Sequence, residues 1–318
     1  MIRTVLGDVE PGTLGLTLAH EHLLMTGGWP VMQEPDYRLD SVPTAVAEIG
    51  PAREMGLSAV VEMTPPGFGR SALGLQEISQ RTGVHVVAAT GLHKVGYYAD
   101  NHWRHRYAAA QIADLLTDEV ELGMDEHNLE GPVLARTTAR AGVVKVATSY
   151  QRAGKSMGVF VEAVGECHRR TGVPVATHCD KGTYAFALLD QLEAAGVPPR
   201  HVILGHIDHN PDPVVLAELA ERGAYLAFDR PGRIKYAPDS DSVALMADLA
   251  ARGHADRLLI GSDLARRSYW TSLGGGPGLA YVLETFLPRL AGSELETVAR
   301  QALTVNAARA LSFRSRGA

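Results

Sequence analysis

His20 and His22 flank Glu21 inside the short apolar run Leu18-Ala19-His20-Glu21-His22-Leu23. On a strand, successive side chains alternate between faces, so the two imidazoles share one face and Glu21 takes the other. Two neutral imidazoles on a rigid strand make half of a divalent-metal site. Taken alone, the pair also fits surface or core histidines. Its weight comes from four later residues: Lys145 between Val144 and Val146, His178 after Thr177, His206 in Gly205-His206-Ile207-Asp208, and Asp263 in Gly261-Ser262-Asp263. Each has a second reading of its own. Lys145 would fit a barrel ion pair, since an unpaired charge between two valines is costly to bury. Asp263 would fit a helix cap. The two histidines would fit ordinary polar sites.

The elements that must position these residues are legible from periodicity and punctuation. Residues 1–15 read as a hairpin with Glu10-Pro11-Gly12 as its turn, leading into the strand that carries His20 and His22. Strand patterns follow at 58–64, 85–90, 141–147, 174–178, 201–206, 224–229 and 257–263. Helical patterns lie at 41–56, 72–82, 108–122, 160–171, 185–195, 213–222 and 242–252, most of them closed by a glycine, with two more starting at Gly278 and Ser293. Eight strands alternating with helices predict parallel pairing through right-handed crossovers, and hence a (β/α)8 TIM barrel with a short N-terminal β-hairpin. A doubly wound open sheet would be expected to show a Gly-x-Gly-x-x-Gly turn after an early strand, and that is not found. No linker-like break divides the chain, so residues 1–318 read as one domain. The active site of such a barrel lies at the C-terminal ends of its strands. His20, His22, Lys145, His178, His206 and Asp263 all fall at such ends.

Of 318 residues, 46% are hydrophobic and 21% charged, an ordinary globular composition. A formal charge of -6 argues against nucleic acid as a partner. No apolar stretch is long enough for a membrane span, and the N-terminus lacks a signal-peptide core, so a cytoplasmic protein is expected. The only two cysteines, Cys167 and Cys179, indicate free thiols.

The ordered set His20-Glu21-His22, Ala141-Gly142-Val143-Val144-Lys145, Thr177-His178, Gly205-His206-Ile207-Asp208, Phe228-Asp229-Arg230 and Gly261-Ser262-Asp263 resembles the phosphotriesterase-like branch of the amidohydrolase superfamily over essentially the whole chain. The resemblance implies a metal-dependent hydrolase with two divalent metal ions. His20, His22 and Asp263 would hold the more buried ion, and His178 and His206 the more exposed one. Lys145, carboxylated by CO2 to a carbamate, would bridge them together with the attacking hydroxide. Asp263 would also carry the proton. The donors suit zinc first, with manganese, cobalt and iron also compatible. The branch leaves room for a homodimer, with Trp29 in the first loop as a candidate contact.

The loops must choose the electrophile. Arg230, Arg233, Lys235 and Tyr236 follow the seventh strand, and Arg266, Arg267, Tyr269 and a glycine-rich turn follow the eighth. These neighbouring loops often bind phosphate in this fold. The chain also resembles the sub-branch that opens phosphorylated sugar lactones, in which a Lys, an Arg and a Tyr grip the phosphate. Lys235, Arg266 and Tyr269 match best, and the sequence does not separate Arg266 from Arg267. Arg230, Lys94 and Tyr98 are further candidates for substrate contact. His93, His102 and His105 are expected to be ordinary polar residues. The reading is a lactonase for a phosphorylated sugar lactone. The alternative is an unphosphorylated lactonase, an esterase or a phosphotriesterase on the same centre. A solvated charged rim would also account for the cluster.

Overall fold

The computed structural model describes residues 1–313. Eight parallel strands pair in chain order: β3 (Leu16–Glu21), β4 (Leu57–Glu62), β5 (His85–Gly91), β6 (Val143–Thr148), β7 (Val175–Cys179), β8 (Val202–Gly205), β9 (Tyr225–Phe228) and β10 (Leu258–Ile260). Helices α1 (Gly28–Gln33) and α2 (Val42–Glu54) follow β3. Then α3 (Ala72–Thr82), α4 (Ala109–Glu121), α5 (Met157–Thr171), α6 (Ala185–Ala194), α7 (Pro213–Glu221) and α8 (Asp239–Ala251) each return the chain to the next strand. The helices α9 (Glu294–Gln301) and α10 (Ala307–Leu311) close the described chain. The (β/α)8 barrel expected from the alternation is therefore present.

A separate antiparallel pair, β1 (Ile2–Thr4) and β2 (Gly7–Val9), precedes it. Its reversal lies at Val5-Leu6, where Thr4 Oγ1 donates to Gly7 O at 2.7 Å. The expected turn at Glu10-Pro11-Gly12 is instead the entry to a single 3-10 turn over Pro11–Thr13. Proline opens that turn because its fixed φ suits a first helical position.

Strand parity sorts the core into two layers. Val86, Ala88, Val144, Val146 and Leu204 face the helices, while Val87, Ala89, Val143, Ala176 and Ile203 fill the barrel interior. Lys145 shares the parity of Val143 and so points inward. The same rule applied to β3 would send His20 outward with Leu18. The β3–β4 register prevents this. Leu18 pairs with Val60 but Glu21 pairs with Glu62, which leaves one extra residue on β3. That bulge turns His20 into the mouth beside His22, with ring centroids 5.6 Å apart.

The barrel seam joins the first and last barrel strands. Asp263 N donates to His20 O at 2.9 Å, and the buried Glu21 carboxylate accepts Ser262 N at 2.8 Å and Ser262 Oγ at 2.6 Å. A Cβ on Gly261 would lie 2.7 Å from His20 N, so only glycine lets the two strands come this close.

A buried ion pair braces the wall beside β5. Arg70 donates to Glu119 at 2.6 Å and 2.9 Å, with both side chains fully buried. Glu119 also accepts Thr90 Oγ1 and Asp125 N, tying the start of the long connection between α4 and β6 to the wall. Removing one partner strands a buried charge, so Glu119→Ala is expected to cost about 3–5 kcal/mol in urea unfolding. A change below about 1 kcal/mol would show that the Arg70 guanidinium finds other partners. Cys167 and Cys179 are buried free thiols.

Candidate metal centre

The strand ends converge their side chains on one mouth. His20 Nδ1 faces Asp229 Oδ2 at 2.9 Å, and His22 Nδ1 faces Thr64 Oγ1 at 2.8 Å. Both rings therefore turn Nε2 toward Asp263 Oδ1, at 3.5 Å for His20 and 3.3 Å for His22. Donor atoms of these three residues lie within 4.8 Å of one another. Across the mouth, His206 Nδ1 sits 2.8 Å from Asp229 Oδ1, and its Nε2 meets His178 Nδ1 at 2.7 Å. The Lys145 side chain enters the barrel interior from β6. It is buried, and it donates to Met63 O at 2.8 Å.

Electrostatics fit these donors to divalent cations. Burial pushes His20 down to about 4, so its imidazole is neutral near pH 7. With Nδ1–H given to Asp229, Nε2 keeps a lone pair aimed at a carboxylate oxygen. Two lone pairs 3.5 Å apart repel unless a cation lies between them. Accordingly, the buried Nε2 atoms of His20 and His178 have no hydrogen-bond partner among the described residues. Burial also pushes Lys145 down to about 8, against the pull of Asp263, Glu62 and Asp229. An amine so placed is uncharged often enough to react with CO2.

Asp229 is a functional residue to which the sequence reading gave no role. One buried carboxylate orients both His20 and His206, fixing which ring nitrogen each presents to the mouth. Burial alone would raise its carboxyl, but His206 and His20 hold it well below the usual carboxylate range. Its signals in the sequence were its place at the end of β9 and in the Phe228-Asp229-Arg230 segment of the family resemblance.

A cavity of about 210 Å3 opens over these groups, lined by His178, His206, Arg233, Asp263, Arg266 and Tyr269 among others. Arg266 bonds Asp36 at 3.3 Å and Tyr37 Oη at 3.2 Å. Arg267 turns away and donates to Arg38 O at 3.1 Å, which separates the two arginines. Lys235 is exposed and is not among the lining residues, but its ammonium lies 4.8 Å above the ring of Tyr269, which is. Lys94 lines the cavity and pairs with Asp180 at 3.0 Å.

Two further candidates are not brought to the cavity. Tyr98 is buried, its hydroxyl accepting His93 N at 2.8 Å and donating to Pro66 O at 3.0 Å, while its neighbour Tyr97 lines the cavity. Arg230 is buried against Ser242 at 3.1 Å and Asp208, and Arg233 is the arginine of that turn that lines the cavity. His93, expected to be an ordinary polar residue, is buried with its ring 4.5 Å from that of His178. Donor atoms of Asp208, His209 and Asp229 also cluster, but Arg230 and Arg233 flank them and disfavour a further cation there.

The sequence profile of the phosphotriesterase family matches residues 1–309. A curated protein of Mycoplasmopsis agalactiae, named a phospho-furanose lactonase, is 32% identical over 91% of this chain and 84% of its own length. The crystal structure of an amidohydrolase from Mycoplasma synoviae superposes with a TM-score of 0.93 at 31% identity, covering 98% of this chain and 92% of that one. A lactonase from Listeria monocytogenes superposes with a TM-score of 0.91 at 28% identity, covering 98% and 99%. Profile, sequence and fold agree over nearly the full length: the chain is a metal-dependent hydrolase and belongs to the phosphotriesterase family.

Proposed function

We propose that this hydrolase opens a phosphorylated sugar lactone on a binuclear metal centre. The observation that supports the substrate class is Arg266 and Tyr269 in the cavity lining, with the exposed Lys235 ammonium 4.8 Å above the Tyr269 ring, from the loops after β9 and β10. Two cations and a phenol suit a phosphate dianion. The curated relatives named phospho-furanose lactonases, at 32% and 33% identity, support the same reading.

In this reading His20, His22 and Asp263 would hold one ion and His178 and His206 the other, with Lys145, as a carbamate, supplying a further anionic donor. The donor set suits zinc, with manganese, cobalt or iron as substitutes. When bound, such ions supply Lewis acidity and bring the pKa of water toward neutrality. The chain's own residues do the rest. Asp229 keeps His20 and His206 in register. Lys235, Arg266 and Tyr269 hold the phosphate, which places the lactone carbonyl over the centre. Asp263 takes the proton of the attacking water and returns it to the ring oxygen as the ester C–O bond breaks, leaving a phosphorylated hydroxy acid. Residues 1–318 act as one domain, in the cytoplasm, on a small molecule. No helix among the described residues is long and apolar enough to cross a membrane. Trp29, 46% exposed in α1, is the contact we assign to a homodimer.

The alternative is a neutral lactone, ester or phosphotriester. One observation favours it: Asp36 already pairs with Arg266 and offsets part of its charge. Kinetics on matched phosphorylated and dephosphorylated furanose lactones separate the two. Charge-assisted hydrogen bonds contribute about 1.5–3 kcal/mol each, so Lys235→Glu and Arg266→Glu are each expected to lower kcat/KM for the phosphorylated lactone by about 10–100-fold. The dephosphorylated lactone should be nearly unaffected. Equal turnover of both lactones by the wild type would discard the phosphate site and keep the metal centre.

A further inference from the structure

The turn after β9 carries a guanidinium that the phosphate reading does not use. Arg233 is buried with a side chain only 4% exposed. Its Nη1 donates to Asp263 Oδ2 at 2.7 Å and its Nη2 to Asp229 O at 2.7 Å. Nη2 also lies 3.6 Å from Asp229 Oδ1, and Nε has no partner among the described residues. The turn is braced by Arg233 N to Arg230 O at 2.9 Å and Gly232 N to Asp239 Oδ1 at 3.0 Å.

The two oxygens of Asp263 therefore have different neighbours. Oδ1 faces His20 and His22, and Oδ2 faces Arg233. A carboxylate beside a divalent cation can ligate through one oxygen or through both. A guanidinium at 2.7 Å occupies a lone pair of Oδ2 and holds that oxygen turned away from His20 and His22, with His206 Nδ1 4.0 Å from it on the other side. A permanent positive charge next to a cation site also weakens cation binding by Coulomb repulsion. Arg233 is thus poorly explained as an aid to metal affinity.

We infer that Arg233 is a positioning residue that keeps Asp263 a one-oxygen ligand and reserves Oδ2 for proton transfer at the cavity. The inference rests on the proposed reading of Asp263 as ligand and proton carrier. It assigns to one side chain a task that lysine, with a single compact ammonium, performs poorly, because Asp263 and Asp229 are gripped by two nitrogens of one rigid fork.

The test compares wild type, Arg233→Met and Arg233→Lys, each loaded with zinc or cobalt. Metal affinity is read by competition with a chromophoric chelator, and coordination by the visible absorption of bound cobalt(II). In Arg233→Met the second oxygen is free to join the metal. Zinc should then bind equally tightly or up to about tenfold tighter. The molar absorption of cobalt should fall, as it does when coordination number rises. The kcat for the phosphorylated lactone should drop about 10–100-fold, with KM changing less than about threefold. Arg233→Lys should fall between the two. Adding methylguanidinium at sub-denaturing concentration to Arg233→Ala should restore the wild-type cobalt spectrum, an arm that needs no comparison between folds. Loss of metal and activity together would mark plain structural support and overturn the inference, as would an unchanged cobalt spectrum in Arg233→Met. If Asp263→Asn leaves the wild-type cobalt spectrum unaltered, the ligand reading itself fails, and this inference with it.

Discussion

Replacing Lys145 is expected to remove bound metal and hydrolysis together. The side chain is fully inside the barrel, and its amine has one hydrogen bond, to Met63 O. Among the described residues no carboxylate lies within ion-pair distance, so a purely structural lysine would be badly placed there. As a carbamate it becomes an anion between two cation sites. Lys145→Met keeps most of the volume and deletes that anion. Bound metal should fall from about two ions per chain to one or fewer. Loss of several kcal/mol of transition-state stabilisation corresponds to a fall in turnover on the order of 10^3 or more. Metal analysis and kinetics on the same preparation check both. A methionine variant with full metal content would refute the bridging role, whatever its activity.

Asp263→Asn has the second largest expected effect, and it should separate folding from chemistry. The asparagine oxygen can still accept from Arg233, which turns the amide NH2 toward the unpartnered Nε2 of His20. The metal-free protein then gains donors where it had repulsion, so its melting temperature should hold or rise. On the proposed reading, the bound metal loses an anionic ligand and the reaction loses its proton carrier. Removal of a general acid–base group costs about 10^2–10^4 in rate. Full activity in Asp263→Asn would show that another group moves the proton.

The strands and the polar residues at their ends were readable because apolar periodicity and glycine stops set both. His178, His206 and Asp263 follow directly from that pattern. His20 was placed at the right mouth by its position at a strand end, although alternation carried on from Leu18 would turn it outward and only the bulge in β3 turns it in. Failures cluster in loops. Arg230 keeps strand parity just past β9 and is carried outward to Asp208 and Ser242, and Pro231-Gly232, with Gly232 at φ 82, swings Arg233 back over the cavity. Tyr97 and Tyr98 are indistinguishable by type, and a 3-10 turn over Val95–Tyr97 decides which of them faces the cavity. Asp229 was hidden for a different reason. Its partners, His20 and His206, lie on strands that only closure of the barrel brings together.

That closure has a consequence for how the protein is made. The contact between Glu21 and Ser262 spans 241 residues of sequence, and the donors gathered at the seam come from the first and last barrel strands. A nascent chain that has not yet released β10 carries His20 and His22 but lacks both Asp263 and the residues that lock Glu21. On the proposed ligand set, the metal centre would therefore be completed only after the barrel strand synthesised last. Ion capture would then report a finished barrel and draw the ends of the fold together when an open edge would otherwise be free to pair with another chain.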